Sequence, residues 1–186
     1  LRGKIERGEF EDPTVTGGTG ELDRTKSPEV ETKVSEKRLR TLNSELIKFP
    51  DSFTVHRKLR KPLERREEIL EEGPIEYGHA EALAFASLLT EGTHIRLTGQ
   101  DSERGTFSNR HLVLHDEKTG LKYAPIQNLS GALAPFEIHN SPLSENACLG
   151  FEYGYSAASP ESLILWEAQF GDFDNSAQVI IDQFIV

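Results

Sequence analysis

Residues 73–186 are predicted to form an α/β domain in which helices flank a parallel sheet, and three observations predict it. Short apolar runs alternate there with longer helical patterns, the order that crossover connections between parallel strands require. Aromatic residues concentrate there as well: only Phe10, Phe49 and Phe53 precede Gly73-Pro74. Charge is divided at the same place. Basic and acidic side chains balance over residues 1–72, and the whole net charge of −10 lies in 73–186.

Residues 1–30, with Asp12-Pro13, Gly17-Gly18 and Ser27-Pro28, read as an extended arm or linker. Residues 31–72 read as a charged helical connector. Val34, Leu39, Leu42, Leu46 and Ile47 fit one helical stripe, Phe49-Pro50-Asp51-Ser52 breaks the run, and Leu63, Ile69 and Leu70 sit in a second helix. Glu76–Leu89 carries Ala80, Leu83, Ala84, Ser87 and Leu88 at helical spacing, and Gly92 stops it. Thr93–Thr98 is a strand, followed by a polar loop over Gly99–Gly105. Leu112–His115 and Leu121–Pro125 form two strands about the turn Glu117–Gly120, and Phe136–His139 is another strand. Ser144 caps a helix running to Ala157, and Leu163–Trp166 is a buried strand. Asn175–Val186 is helical, with Val179, Ile180 and Phe184 on its apolar face and no stop signal, so the domain is expected to be incomplete at its C-terminal end.

Composition excludes several functions. With 186 residues, one domain of ordinary size is expected. A net charge of −10 argues against a basic surface for nucleic acid or an anionic membrane. A single cysteine excludes a disulfide framework, and no apolar run approaches a membrane span. A cytoplasmic location is expected, or the mitochondrial matrix if the source is eukaryotic. The chain has no methionine and starts at Leu1, so it is expected to be a piece of something longer. It has no Gly-x-Gly-x-x-Gly, no Gly-Lys-Ser/Thr phosphate loop and no Gly-x-Ser-x-Gly elbow. His111 and His115 have i, i+4 spacing but span the start of a strand, so no metal role is assigned.

Two carboxylates stand in settings unlike those of surface acids. Glu145 lies in Ser141-Pro142-Leu143-Ser144-Glu145-Asn146-Ala147, in the first turn of a helix that then enters apolar packing. On spacing alone it is a first-turn acid favoured by the helix dipole. Glu167, in Leu165-Trp166-Glu167-Ala168-Gln169-Phe170, ends a buried strand, where open α/β sheets collect ligands. It is read as a structural carboxylate supporting the pocket. Cys148 is read as a small core residue.

Three long blocks carry a resemblance. Gly99–Phe107 continuing into Arg110-His111 and His115-Asp116 is one, and Ser141–Glu145 with Gly150–Tyr155 is the next. The third is Trp166–Phe173 with Asp182–Ile185. Together they resemble the thiamine diphosphate-dependent 2-oxoglutarate dehydrogenases of the transketolase-like superfamily, over residues 73–186. The resemblance implies the pyrimidine-binding domain, preceded by an extended arm and charged helices. It implies decarboxylation of 2-oxoglutarate in the tricarboxylic acid cycle, with transfer of the succinyl group to a lipoyl arm of a partner succinyltransferase. It also implies a homodimer whose cofactor lies between domains of different protomers, with magnesium held by a partner domain. The Gly-Asp-Gly of that magnesium site is absent, and Gly171-Asp172-Phe173 does not replace it. The chain alone is therefore expected to be inactive. By the resemblance Glu145 is the carboxyl that activates the cofactor, Phe173 stacks on the pyrimidine, and Gln100, Leu143 and Gln169 line the ring pocket. For His111 a structural hydrogen bond is the favoured account, with contact to a dianionic substrate as the alternative. A 2-oxoadipate dehydrogenase, or a non-catalytic dimerisation or docking module, are the other readings.

Overall fold

A computed structural model describes residues 30–68, 70 and 73–186. The expected arm, save Val30, and the stripe residue Ile69 lie outside the described residues. Residues Val34–Val186 pack as one unit.

Helix α1 (Glu36–Leu46) starts at Ser35, whose hydroxyl accepts the Arg38 N–H, and it buries Leu42, Asn43 and Leu46. The Phe49–Ser52 break follows, and Phe49 stacks on Phe53 at 5.7 Å between centroids. Helix α2 (Arg57–Glu68) is charged along its length, buries only Leu63 among its described residues and tolerates Pro62 inside it. Helix α3 (Tyr77–Glu91) ends at Gly92, whose φ of 92° is the left-handed turn that glycine adopts at least cost. The stripe expected on α3 is corrected in part: Leu83 and Ser87 are buried and Leu88 packs against the core, but Ala80 and Ala84 are exposed, and Ala82, Phe85, Ala86 and Leu89 are buried as well. This helix is apolar nearly all round, so periodicity alone does not single out its buried face.

Strands β1 (Ile95–Gly99), β4 (Phe136–Asn140) and β5 (Leu163–Glu167) form a parallel sheet in the order β4-β1-β5. Strands β2 (Leu114–His115) and β3 (Lys122–Tyr123) form a separate two-residue antiparallel ladder. Its turn is held by the Asp116 carboxylate, which accepts the N–H groups of Thr54, Lys118 and Thr119. Gly120, at a φ of 72°, completes it. Those N–H groups, that of Thr54 foremost, lower the Asp116 pKa to about 2.

The strand period of two sorts the sheet's side chains. Ile95, Leu97, Phe136, Ile138, Leu163 and Leu165 share one core with Leu83, Phe85 and Leu89 of α3. Leu42 and Leu46 of α1 belong to the same core, so the change in composition at Gly73-Pro74 is not a break in packing. On the opposite face lies α4 (Glu145–Ala158), where Leu149 packs with Trp166, Ala177 and Ile180. The Arg96 guanidinium reaches Glu152 of α4 at 2.8 Å and Glu137 of β4 at 2.6 Å on this face.

After β5, helical turns run from Phe173 to Ile185 with a kink at Asn175 and Ser176. The apolar face expected here is corrected. Ile180 is buried, but Val179 and Phe184 are about half exposed. Ala177 and Ile180 pack with Leu149 and Trp166, whereas Val179 and Phe184 take no part in that cluster. No helix among the described residues is long and apolar enough to cross a membrane.

Candidate functional site

The register sets the last residues of the three parallel strands abreast, pairing Gly99 with Asn140 on one side and Glu167 on the other. Each strand therefore delivers its following loop to the same edge. Gln100 leaves β1, Leu143 and Glu145 follow β4, and Gln169 and Phe173 follow β5. Glycine at position 99 permits this close approach. A Cβ there would lie 2.7 Å from the Glu167 carbonyl oxygen and 2.8 Å from Ser102 Oγ.

Ser144 caps α4 by accepting the Ala147 N–H, which makes Glu145 the first helical residue. The half-buried Glu145 carboxylate sits where the helix dipole favours negative charge, by about 0.3–1 kcal/mol. Gln100 Nε2 donates to its Oε1 at 2.8 Å. Oε2 takes no hydrogen bond from any described residue, so this edge presents a carboxyl oriented through one oxygen with the other unused. Leu143 beside it is 53% exposed.

On the β5 side, Gln169 Nε2 donates to Thr106 Oγ1 at 2.7 Å, and the Gln169 N–H donates to the buried Asp172 carboxylate at 2.6 Å. Thr106 in turn donates to Glu167 Oε1 through both its N–H and its hydroxyl, at 3.2 and 3.1 Å. The other Glu167 oxygen accepts from Arg110. Arg110 is buried and also forks onto Glu81 of α3, with Nε to Oε1 at 2.6 Å and Nη2 to Oε2 at 3.2 Å. Burial alone would pull the Arg110 pKa down, but the hydrogen bonds to Glu81 and Glu167 outweigh it and raise it above its ordinary value. The half-buried Glu167 thus connects a buried cation to the loop that carries Thr106.

Phe173 is 46% exposed and stands edge-on to Trp166, with centroids 6.2 Å apart. Asn146 Nδ2 donates to the Ser176 carbonyl at 3.3 Å and so ties the start of α4 to the Phe173 turn. Four polar or aromatic groups thus line one sheet edge: the Glu145 carboxyl, the Gln100 and Gln169 amides and the Phe173 ring.

His111 lies apart from these groups. It adopts a left-handed φ of 47° and, with Arg66, Leu112 and Ile126, lines a small cavity behind the loop. Burial lowers its pKa, with Arg66 and Arg104 adding to the effect against a backbone hydrogen bond at Ser108. No contact among the described residues joins it to Gln100, Glu145, Gln169 or Phe173. Cys148 is buried in α4, and burial raises its thiol pKa. A cavity of about 570 Å³ lined by Ile47, Phe49, Phe53 and Leu63 also lies away from the sheet edge. What marks the edge is its chemistry, not its hollow.

Sequence reasoning missed the support beneath the site: Arg110, Glu81, Thr106 and Asp172. Arg110 falls within a block that carries the resemblance, but no local pattern pairs residue 110 with residues 81 and 167.

The chain is 57% identical over 159 residues to a protein of Geobacillus kaustophilus named 2-oxoglutarate dehydrogenase E1 component, covering 85% of this chain and 17% of that relative. A protein of the same name from Bacillus subtilis is also 57% identical over 159 residues, with the same coverage. One from Oceanobacillus iheyensis is 58% identical over 148 residues, covering 79% of this chain and 16% of the relative. The chain therefore spans about a sixth of the length of the curated relatives it matches. Residues 73–186 match the family described as the transketolase pyrimidine-binding domain, the segment that contains the parallel sheet and its carboxyl edge, and the chain belongs to that family.

Proposed function

We propose that this chain is the pyrimidine-binding part of a thiamine diphosphate-dependent 2-oxoglutarate dehydrogenase, with Glu145 as the carboxyl that activates the cofactor. The observation that carries this reading is the Gln100–Glu145 pair at the carboxyl edge of a parallel sheet, with Oε2 of the carboxyl unused. The names and identities of the relatives support the substrate.

The donor set fits a flat, nitrogen-rich ring: one carboxyl, two carboxamides and a half-exposed phenyl face. Thiamine diphosphate, when bound, supplies an acidic ring carbon that adds to a 2-oxo acid and accepts the electrons released on decarboxylation. Gln100 fixes the plane of the Glu145 carboxyl, so Oε2 can hold or share a proton with a pyrimidine nitrogen without first being reoriented. Leu143 supplies an apolar wall and Phe173 a stacking face, the latter worth about 0.5–1.5 kcal/mol beyond its buried area. Gln169 is held by Thr106 and Asp172 and is the second amide of the pocket. The diphosphate and its magnesium ion belong to another domain, contributed across a homodimer. The succinyl group passes to the lipoyl-bearing succinyltransferase of the same complex, in the cytoplasm. His111 keeps a structural role in the loop.

Glu145→Gln in the complete enzyme tests this. Glutamine preserves shape and the contact with Gln100 but cannot take up or release the proton. Cofactor affinity should hold, while turnover and proton exchange at the reactive ring carbon should fall together by about 10²–10⁴-fold. Undiminished proton exchange in that variant sinks the assignment.

A further inference from the structure

Among the described residues, five arginines are buried or half-buried: Arg38, Arg40, Arg66, Arg96 and Arg110. Four of them meet a carboxylate. Arg38 pairs with Glu91 and Arg40 with Glu36; Arg96 pairs with Glu137 and Glu152, and Arg110 with Glu81 and Glu167. Arg66 has no carboxylate within ion-pair distance among the described residues. Its Nη2 reaches only two backbone carbonyls, of Asn109 at 3.5 Å and Arg110 at 3.3 Å, and both contacts are long. A partly buried guanidinium is costly to leave without a counter-charge. Burial lowers the Arg66 pKa accordingly, and the field of Glu76 offsets only part of that.

Arg66 also lines a cavity of about 230 Å³ between α2 and the start of α3, together with Lys61, Pro62, Arg65, Glu76 and His79. Lys61 and Arg65 stand one helical turn apart on α2, and neither is ion-paired among the described residues. Three cations and one exposed carboxylate around a cavity are a local excess of positive charge, within the part of the chain whose charges otherwise balance. His79 forms part of the wall and is almost fully buried, with Nε2 against Asn43 Oδ1 at 2.6 Å.

We propose that this cavity is an anion site, separate from the carboxyl edge, that takes a phosphoryl group from inorganic phosphate or a small phosphate monoester. A phosphoryl group offers three terminal oxygens and close to two negative charges, enough to meet two guanidinium forks and one ammonium together. A carboxylate offers two oxygens and one charge. Glu76 is the group it must displace or repel. Arg66 also contacts the carbonyls of Asn109 and Arg110, so occupancy would be felt in the loop that carries Arg110.

The test titrates the 186-residue chain with inorganic phosphate at constant ionic strength, followed by calorimetry and by the NMR shift of the His79 ring. Saturable binding at about millimolar phosphate or tighter is expected, with the His79 signal moving along the same isotherm. A simple nucleoside monophosphate should compete for the site. A dicarboxylate at equal ionic strength should bind at least about fivefold more weakly, because its four oxygens are divided between two carbon centres and cannot converge on the three cations as those of one phosphoryl group do. Lys61→Gln combined with Arg65→Gln removes two exposed cations without touching the core, and should weaken phosphate about tenfold or more. Glu76→Gln should strengthen it. No saturation by about 20 mM phosphate overturns the proposal. So does unchanged affinity in the Lys61, Arg65 double variant, and so does equal affinity for the dicarboxylate. Phosphate affinity that responds to Glu145→Gln and not to Glu76→Gln would locate it at the carboxyl edge and equally overturn the separate site.

Discussion

Ile95 and Leu97 share a core with Leu83, Leu89 and Phe136 on one face of the central strand, whereas Arg96, between them in sequence, meets Glu137 and Glu152 on the other. The first face is held by dispersion and water exclusion, which have no preferred direction and are spread over many partners. The second is held by a few charged groups of fixed geometry. Glu152 is almost fully buried and Arg96 lies against the rings of Phe151 and Tyr155, at 5.3 and 5.2 Å from their centroids. Burial would lower the Arg96 pKa, but the hydrogen bonds to Glu152 and Glu137 prevail and raise it. The difference bears on the candidate site. Glu152 lies seven residues beyond Glu145, so both project from the same side of α4. The ion pair that holds the helix to the sheet therefore also sets the rotation that turns Glu145 toward Gln100.

The largest effect should come from cutting the charged face. Glu152→Ala leaves Arg96 with Glu137 alone in a buried setting and should cost about 3–5 kcal/mol in urea unfolding. A loss below about 1 kcal/mol would mean that the pair behaves as a surface contact, and the contrast between the faces would collapse.

A second test asks whether the apolar side conceals a titrating group. Burial, with the charge of Arg66 adding to it, lowers the His79 pKa to about 4. The unfolded chain, with its ordinary histidine near 6.5, takes up a proton more readily in that interval. Stability should thus fall as pH drops from about 6.5 to 4, by about 3 kcal/mol in all. Asp116, its own pKa lowered to about 2, loses its share only at still lower pH. Unfolding free energies measured across the interval should slope in the parent chain and flatten in His79→Gln. An equal slope in both would remove His79 from the account.

The smallest effect belongs to shape. Ile138→Val on the apolar face should cost about 1 kcal/mol and leave cofactor affinity of the complete enzyme unchanged. A comparable loss accompanied by weakened cofactor binding would show that the two faces are not independent.

Much of this architecture is legible in sequence because its signals are local. Ser144 announces a cap and Gly92 a stop, and both act on neighbours within a few residues. The residues singled out for the carboxyl edge rest on long blocks of resemblance, and the structure brings Gln100 and Glu145 into contact. What was not legible depends on residues distant in the chain. Nothing local says that Arg110 will meet Glu81 and Glu167, or that Arg96 will select Glu152 among many acids. On α3 the expected stripe includes Leu83, Ser87 and Leu88 of the buried side but also the exposed Ala80 and Ala84, because an apolar helix carries too little contrast.

The order β4-β1-β5 also has a consequence in time. Strand β1 is bonded along both sides, whereas β4 and β5 each have one outer edge unpaired among the described residues. Outer strands open first when a sheet breathes, so amide protons of β1 should outlast those of β4 in exchange with solvent. Gln100 leaves the slow strand and Glu145 follows a fast one, so their bond lasts only as long as β4 stays docked. On warming, the carboxyl would lose its aim while the core still stands.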